Sequence, residues 1–421
     1  MMYPHIEHPQ LLLPDAVIDG SDGHSSAGLA VLVQDGKIAA VGTVDEVRKE
    51  CPHDTVDVPL EGMTLCPGLI DGHTHLSLAG DGRNYDEMFS ETDEMMVCTG
   101  AMNMMKHLRA GITTIREHGA RNRVGFALKE GLERGYLPGP RMQVSGRPIT
   151  CTGGHFWFCN EQADGEEEIR KSVRRLVHEG ADYIKIMASG GGTRGTIPER
   201  ASYTEEELHA AVHAAHHFDR PTAAHCRASE SMRRAVQAGI DLMEHAEFLD
   251  TDNQLRFDPE IAAMMEESGI WISPTLQAWT KYPRIVELRN QRDLGSLSHD
   301  GGVELEALEK RAEGRLDVMR KLLEYNVKDR VLPGTDSGVG MLAFGHLDYD
   351  LELLVEVGFT PVEALVSATR ISAEAIGMSD TVGTIEAGKV ADLVAFKGDP
   401  SRDIYACRNV GVVFQAGRLV R

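Results

Sequence analysis

An α/β fold, a (β/α)8 TIM barrel with a small β-sandwich domain formed by the N- and C-terminal segments, is predicted by three features of this sequence. Short apolar runs alternate with helical segments from about Leu69 to Gly377, the pattern of repeated strand–helix units around a parallel sheet. The runs number about eight, which suits a closed barrel. On both sides of this middle the language changes to glycine-punctuated alternation: Leu29–Val33, Lys37–Val41 and Thr55–Val58 before it, Ala391–Phe396 and Val410–Phe414 after it. Two β-rich flanks around one α/β core imply that the chain ends meet, giving expected boundaries of 1–66 and 379–421 for the sandwich and 67–378 for the barrel.

In chain order, the barrel strands are expected near Leu69–His75, Ile112–Glu117, Arg141–Ser145, Tyr183–Met187, Pro221–His225, Ile240–His245, Ile270–Pro274 and Val331–Asp336. Helices are expected at Ala101–Ala110, Glu166–Glu179, Glu205–Phe218, Ser229–Ala238, Ile261–Ser268 and Pro361–Ala368. The Thr204 to Glu207 spacing is that of a capping box. The stretch from Asp250 to Asp329 carries strand seven amid charged helical sequence and has the weakest pattern.

The chain has 421 residues, 42% hydrophobic and 26% charged, ordinary values for a folded protein with ample core. Its formal net charge is -22; a surface that acidic repels phosphate backbones and anionic headgroups, so neither nucleic acid nor membrane is an expected partner. No apolar stretch approaches the roughly 18 residues of a membrane helix, and Met1–Pro14 lacks the pattern of a secretory leader. The seven cysteines are scattered and form no C-x-x-C pair, which suits free thiols in a reducing compartment, so a cytoplasmic location is expected.

Chemistry-bearing residues gather at predicted strand ends. Strand one ends in Asp71-Gly72-His73-Thr74-His75, and residues two apart on a strand point the same way, so His73 and His75 present imidazoles side by side, a pairing suited to zinc. Lys185 sits inside the apolar run Tyr183–Met187, where an unpaired ammonium is so unfavourable that the amine loses its proton or finds a partner. A neutral lysine reacts with carbon dioxide to give a carbamate, an anionic ligand able to bridge two metals. His225, His245 and Asp336 each end another apolar run. Any one of them alone is more often structural; their joint placement at the C-terminal ends of strands one, four, five, six and eight is where barrel enzymes build active sites. The expected centre is His73, His75 and Asp336 on one metal, His225 and His245 on the other, and carbamylated Lys185 bridging both. By contrast His209, His213, His216 and His217 share one helix without a His-Glu-x-x-His arrangement, and read as a partly solvated face. The methionines from Met95 to Met105 read as core filling.

With these residues in hand, the chain resembles the amidohydrolase superfamily, and within it the group similar to imidazolonepropionases and prolidase-like carboxypeptidases. The entry Cys66-Pro67-Gly68-Leu69-Ile70-Asp71-Gly72-His73-Thr74-His75 looks like the family's first barrel strand, and Gly383-Thr384-Ile385-Glu386-Ala387-Gly388-Lys389-Val390-Ala391-Asp392-Leu393-Val394 like its return into the sandwich. The resemblance implies two divalent ions, Zn2+ or similar, bridged by a hydroxide. Single-metal branches lack the strand-four lysine, so Lys185 is similar to the two-metal peptidase and amide-hydrolase branch. Hydrolysis of a linear amide in a small molecule, such as an N-acyl amino acid or dipeptide, is therefore expected, by a homo-oligomer. Asp336 is expected to take the proton of the attacking water and pass it to the departing amine, while His155 and Arg227 stabilise the oxyanion or anchor a polar group. Arg227 stands where the prolidase-like branch often has tyrosine, and His118 follows Arg116-Glu117 where the group more often has an aspartate, so both are expected at the substrate. Phe156 and Trp157, in Phe156-Trp157-Phe158 after Thr152-Gly153-Gly154-His155, are expected to line an aryl-accepting wall. The rival expectations are a urea, carbamate or aryl-anilide hydrolase, then a cyclic amidine deaminase, then a catalytically silent scaffold of the same fold.

Overall fold

The computed structural model of the chain describes residues 8–21, 24–83, 87–88 and 90–420. Met1–Glu7, part of the N-terminal segment read above for a leader pattern, lie outside the described residues. Strands β1 (Gln10–Ile18), β2 (Ser25–Ala27), β3 (Leu29–Gln34) and β4 (Lys37–Thr43) pair antiparallel, helix α1 (Val44–Glu50) follows, and β5 (Val56–Pro67) returns parallel to β1. The barrel units come next: β6 (Leu69–Thr74), α2 (Asp93–Arg109), β7 (Ile112–Glu117), α3 (Val124–Glu133), β8 (Arg141–Val144), α4 (Gly165–Glu179), β9 (Ile184–Ile186), α5 (Glu205–His216), β10 (Thr222–Ala228), α6 (Ser229–Ala238), β11 (Leu242–Leu249), α7 (Pro259–Ser268) and β12 (Trp271–Ser273). Then come α8 (Leu276–Thr280), α9 (Tyr282–Asp293), α10 (His299–Leu322), α11 (Leu347–Glu356), α12 (Pro361–Val366) and α13 (Ser372–Ala375). The chain closes with β13 (Leu393–Lys397), β14 (Val410–Gln415) and β15 (Arg418–Leu419).

The two chain ends share one sheet, because β13 pairs antiparallel with β5, Val394 opposite Cys66 and Leu393 opposite Pro67. That pairing delivers the chain from the sandwich directly into β6. The barrel strands form two parallel sheets, β6-β7-β8 and β9-β10-β11-β12. Among the described residues no continuous ladder joins them; a single parallel bridge does, Ile149 to Ile186, and two more tie each sheet to the segment Val331–Ser337, Ile272 to Val331 and Thr74 to Ser337. The predicted eighth strand, Val331–Asp336, is thus held by separate bonds: Leu332 N–H to the Ile272 carbonyl (3.0 Å), Gly72 N–H to Pro333 O (3.0 Å) and Asp336 N–H to His73 O (2.8 Å). Pro333 has no N–H to contribute, so a regular ladder cannot run through it.

Some helices differ from expectation for local reasons. Helix α2 begins at Asp93 rather than Ala101, because the Thr92 hydroxyl caps it by accepting from Met95 N–H. The segment expected as Pro361–Ala368 leaves the α-helix after Val366 for a π-turn, Ser367–Ile371. The Thr204–Glu207 capping box forms as expected. The weakly patterned Asp250–Asp329 region folds as α7 to α10, and its last two helices are an addition to the barrel plan. His209, His213 and His217 are exposed on α5, and His216 pairs with Asp241 at 2.8 Å. One apolar cluster joins barrel residues such as Leu108 and Leu347 to Val394, Phe396, Cys407 and Val413 of the C-terminal segment. No helix among the described residues is long and apolar enough to cross a membrane.

Candidate active site

The site begins with how tightly β6 is pinned to the eighth strand. Asp71 is fully buried and accepts from the backbone N–H of His73 (3.1 Å) and Thr335 (3.0 Å) and from the Thr335 hydroxyl (2.7 Å). Gly334 permits the close approach, since a Cβ there would lie 2.7 Å from the His73 Cβ. As the strand alternation requires, His73 and His75 then face the same way, their Nε2 atoms 3.4 Å apart. Asp336, held at φ 54° in the left-handed region, brings its Oδ1 to 3.4 Å from both Nε2 atoms. A tetrahedral ion bound at the usual 2.0–2.1 Å separates its ligands by about 3.3–3.4 Å. The three atoms therefore already have the spacing of one face of such a site, and His73, His75 and Asp336 form a cluster capable of holding a metal.

On the other side His225, from β10, and His245, from β11, approach at 2.8 Å between Nδ1 and Nε2. A hydrogen bond to a carbonyl assigns the His225 tautomer. His225 Nε2–H donates to Gly190 O at 3.1 Å, which leaves Nδ1 as the lone-pair atom. His245 Nδ1 lies 2.7 Å from the Thr275 hydroxyl and 3.0 Å from the Trp279 indole nitrogen, so Nε2 faces His225. Burial keeps both imidazoles far below their ordinary pKa, hence neutral and able to act as ligands.

Lys185 lies on β9 between Ile184 and Ile186, all three buried. Among the described residues its Nζ has no hydrogen-bond partner, and it stands 3.9 Å from the Glu244 carboxylate Oε1. Burial pushes its amine down to about 8. The same cavity of about 530 Å³ is lined by His73, His75, Lys185, His225, His245 and Asp336.

Glu244 is the residue that strand reasoning passed over. It is fully buried, accepting from His73 Nδ1–H at 2.7 Å and His118 Nε2–H at 2.5 Å. Burial alone would raise its carboxyl, but His118, Lys185 and His73 hold it well below the usual carboxylate range. The adjacent His245 should have pointed the opposite way. It does not, because His245 and Ala246 take positive φ (71° and 45°), so the strand abandons its alternation just as it reaches the site. The signal available in the sequence was only an acidic residue inside the apolar run Leu242–Ala246.

The expected substrate contacts divide. His155, Phe156 and Arg227 line the cavity. His155 Nδ1 sits 2.7 Å from the Thr193 hydroxyl, and Phe156 packs 4.8 Å from the His75 ring. The Arg227 guanidinium is held by Glu247 (Nε to Oε2, 2.5 Å) and stacks 4.1 Å over Trp279. His118 is not on the cavity wall: it stacks 3.9 Å from the His73 ring, bonded to Glu244 and 2.8 Å from the Tyr183 hydroxyl. Trp157 is also off the wall, 42% exposed in a short 3-10 turn, and Trp279 takes the aromatic place instead.

Comparison with known proteins gives the family. The model of the amidohydrolase family matches residues 64–420. The ochratoxinase of Aspergillus niger is 26% identical, with 95% of this chain and 84% of that protein aligned. The imidazolonepropionase of Geobacillus sp. (strain WCH70) is 23% identical over 93% of this chain and 89% of its own. Among solved structures, a Xaa-Pro dipeptidase with methionine bound in its active site superposes with a TM-score of 0.80 at 26% identity, covering 98% of this chain and 99% of the other. A match that spans the whole barrel and runs on into the sandwich leaves one assignment: the chain belongs to the amidohydrolase family and is a hydrolase acting on carbon–nitrogen bonds.

Proposed function

We propose that the protein is a two-metal amidohydrolase that cleaves a linear amide of a small molecule, such as an N-acyl amino acid or a dipeptide. The observation that carries the reading is the unpartnered, fully buried Lys185 amine sharing one cavity with two pairs of converging imidazoles and Asp336. An amine so placed is easily deprotonated and open to carbon dioxide, and as a carbamate it becomes the anion that two cations would share. His73, His75 and Asp336 would hold one ion and His225 and His245 the other, with carbamylated Lys185 between them. When bound, the ions, zinc in this reading, supply Lewis acidity and lower the pKa of water.

The chain's own residues do the rest. Asp336 takes the proton from the attacking water and delivers it to the leaving nitrogen, a shuttle suited to a carboxylate at the base of the cavity. Arg227, steadied by Glu247 and Trp279, and His155, oriented by Thr193, meet the developing oxyanion or a polar group of the substrate. Glu244 keeps a proton on His73 Nδ1 and so keeps Nε2 free as a ligand. The seven cysteines stand as free thiols, which supports a cytoplasmic setting.

A second reading, hydrolysis of an aryl anilide, urea or carbamate, is favoured by the apolar wall of Phe156, Met187 and Trp279. Zinc-loaded protein assayed on N-acyl amino acids, dipeptides, phenylureas and carbamates tests the two together. Amine release from the first two classes, with two metals per chain, is the expected result. Ammonia released without a second organic product would overturn it in favour of a deaminase.

A further inference from the structure

The outer half of the cavity differs in charge from the rest of the molecule. The chain carries 65 acidic against 43 basic residues, yet its mouth, built where α8, α9 and α10 meet, is lined by Lys281, Arg284 and Arg311 with Glu304 as the acidic member. Arg284 is already neutralised: it holds Glu304 through Nε (2.9 Å) and Nη2 (2.6 Å) and Glu287 through Nη1 (2.7 Å). Deeper in, Arg227 is likewise matched by Glu247. Among the described residues Lys281 and Arg311 form no ion pair, so the mouth keeps two uncompensated cations on an acidic protein. Lys281 occupies the joint between α8 and α9 at φ 54°, a conformation rare for a residue with a side chain and one that tends to persist where the surroundings enforce it.

We propose that Lys281 and Arg311 form a specificity subsite for an anionic group, a carboxylate, carried at the distal end of the substrate's acyl portion. This rests on the amide-hydrolase reading above and adds to it the class of acyl group. Burial tells the inner end from the outer one. His73, Lys185 and His245 are 0–1% exposed, whereas Lys281 and Arg311 are exposed at the rim. An anion held there sits outward of the buried residues that would meet the scissile amide. Phe156, Met187, Val339, Leu342 and Trp279 line the same cavity, apolar surface that suits a short methylene spacer. Two local cations also reverse the repulsion that a net charge of -22 would impose on an anionic substrate. Water adds across the amide as before, giving the dicarboxylate and the free amine.

The experiment compares glutaranilic acid with valeranilide, in which a methyl group replaces the distal carboxylate, on the metal-loaded enzyme. The expected result is a kcat/KM for the acid roughly tenfold higher, a preference that shrinks as salt screens the rim and is lost in the Lys281→Met, Arg311→Met double variant. Equal hydrolysis of both compounds, or a preference untouched by the double variant, overturns the subsite while leaving the amide-hydrolase reading intact. Binding is measured in parallel by calorimetry. If neither anilide is cleaved but the acid binds about tenfold tighter than valeranilide in the wild type alone, the subsite stands and anilide hydrolysis falls; if the binding difference is absent too, the subsite falls, and amine release from N-acyl amino acids and dipeptides decides the reaction separately.

Discussion

At the scale of single residues, the site depends on who holds a proton. Glu244→Gln replaces the ionised acceptor of two imidazole N–H groups with a neutral amide, and the expected outcome is a 10- to 100-fold loss of metal affinity with the fold intact, measured by competition with a chromogenic chelator. Asp336→Asn should retain metal and lose turnover by roughly 10²- to 10⁴-fold, because the amide cannot carry the proton to the leaving nitrogen; near-normal kcat would remove Asp336 from that role. Lys185→Ala should lower metal content and activity together, and acetate or propionate added to the medium should restore part of both by occupying the place of the carbamate. A pH effect follows from Glu117, whose buried carboxyl accepts only from Gly119 N–H at 3.1 Å and is pushed up to about 8 by burial. The fold keeps that proton up to about pH 8, whereas the unfolded chain releases it near pH 4.5. Over that window the unfolded state binds fewer protons, so this group's contribution to stability falls as pH rises. Urea unfolding at several pH values should show the decline reduced in Glu117→Gln relative to wild type.

Among the elements, β11 and α10 are the informative pair. Strand β11 places Glu244 and His245 in the same site only by leaving the extended conformation, and Arg315 of α10 braces that departure. Its guanidinium, 2% exposed, donates to the carbonyls of Ala246 (3.2 Å) and Pro274 (3.4 Å), and also to that of His245. Arg315→Met leaves those carbonyls without donors; a destabilisation of about 2–4 kcal/mol is expected, read as a lower denaturant midpoint, with His245-dependent metal loss alongside. Alternation and apolar runs in the sequence announced most barrel strands. They missed what departs from the rule: the positive φ at His245, the ladder that Pro333 interrupts, and a helical hairpin, α9 and α10, that is charged along most of its length and so carries little periodic signal.

For the whole molecule, sandwich and barrel share a continuous apolar cluster in which Val394, Phe396 and Val413 pack with barrel residues, and Arg141 of β8 reaches Asp392 before β13 at 3.2 Å. Calorimetry should accordingly record one cooperative unfolding transition rather than two, since separating the parts would expose the shared cluster; two separated transitions would show independent units. The sequence alone settled the barrel plan and the pairing of the chain ends, because apolar period and glycine punctuation are local properties that each segment carries with it. It also marked His73, His75, His225, His245 and Asp336, at the ends of apolar runs, and Lys185, inside one, as candidates. Tertiary structure alone decided that Glu244 joins them, that His118 stacks against His73 off the cavity wall, and that Trp279 lies on that wall while Trp157 does not. Those outcomes depend on distances between residues far apart in the chain and on a backbone bend, neither of which leaves a periodic trace in the amino-acid order.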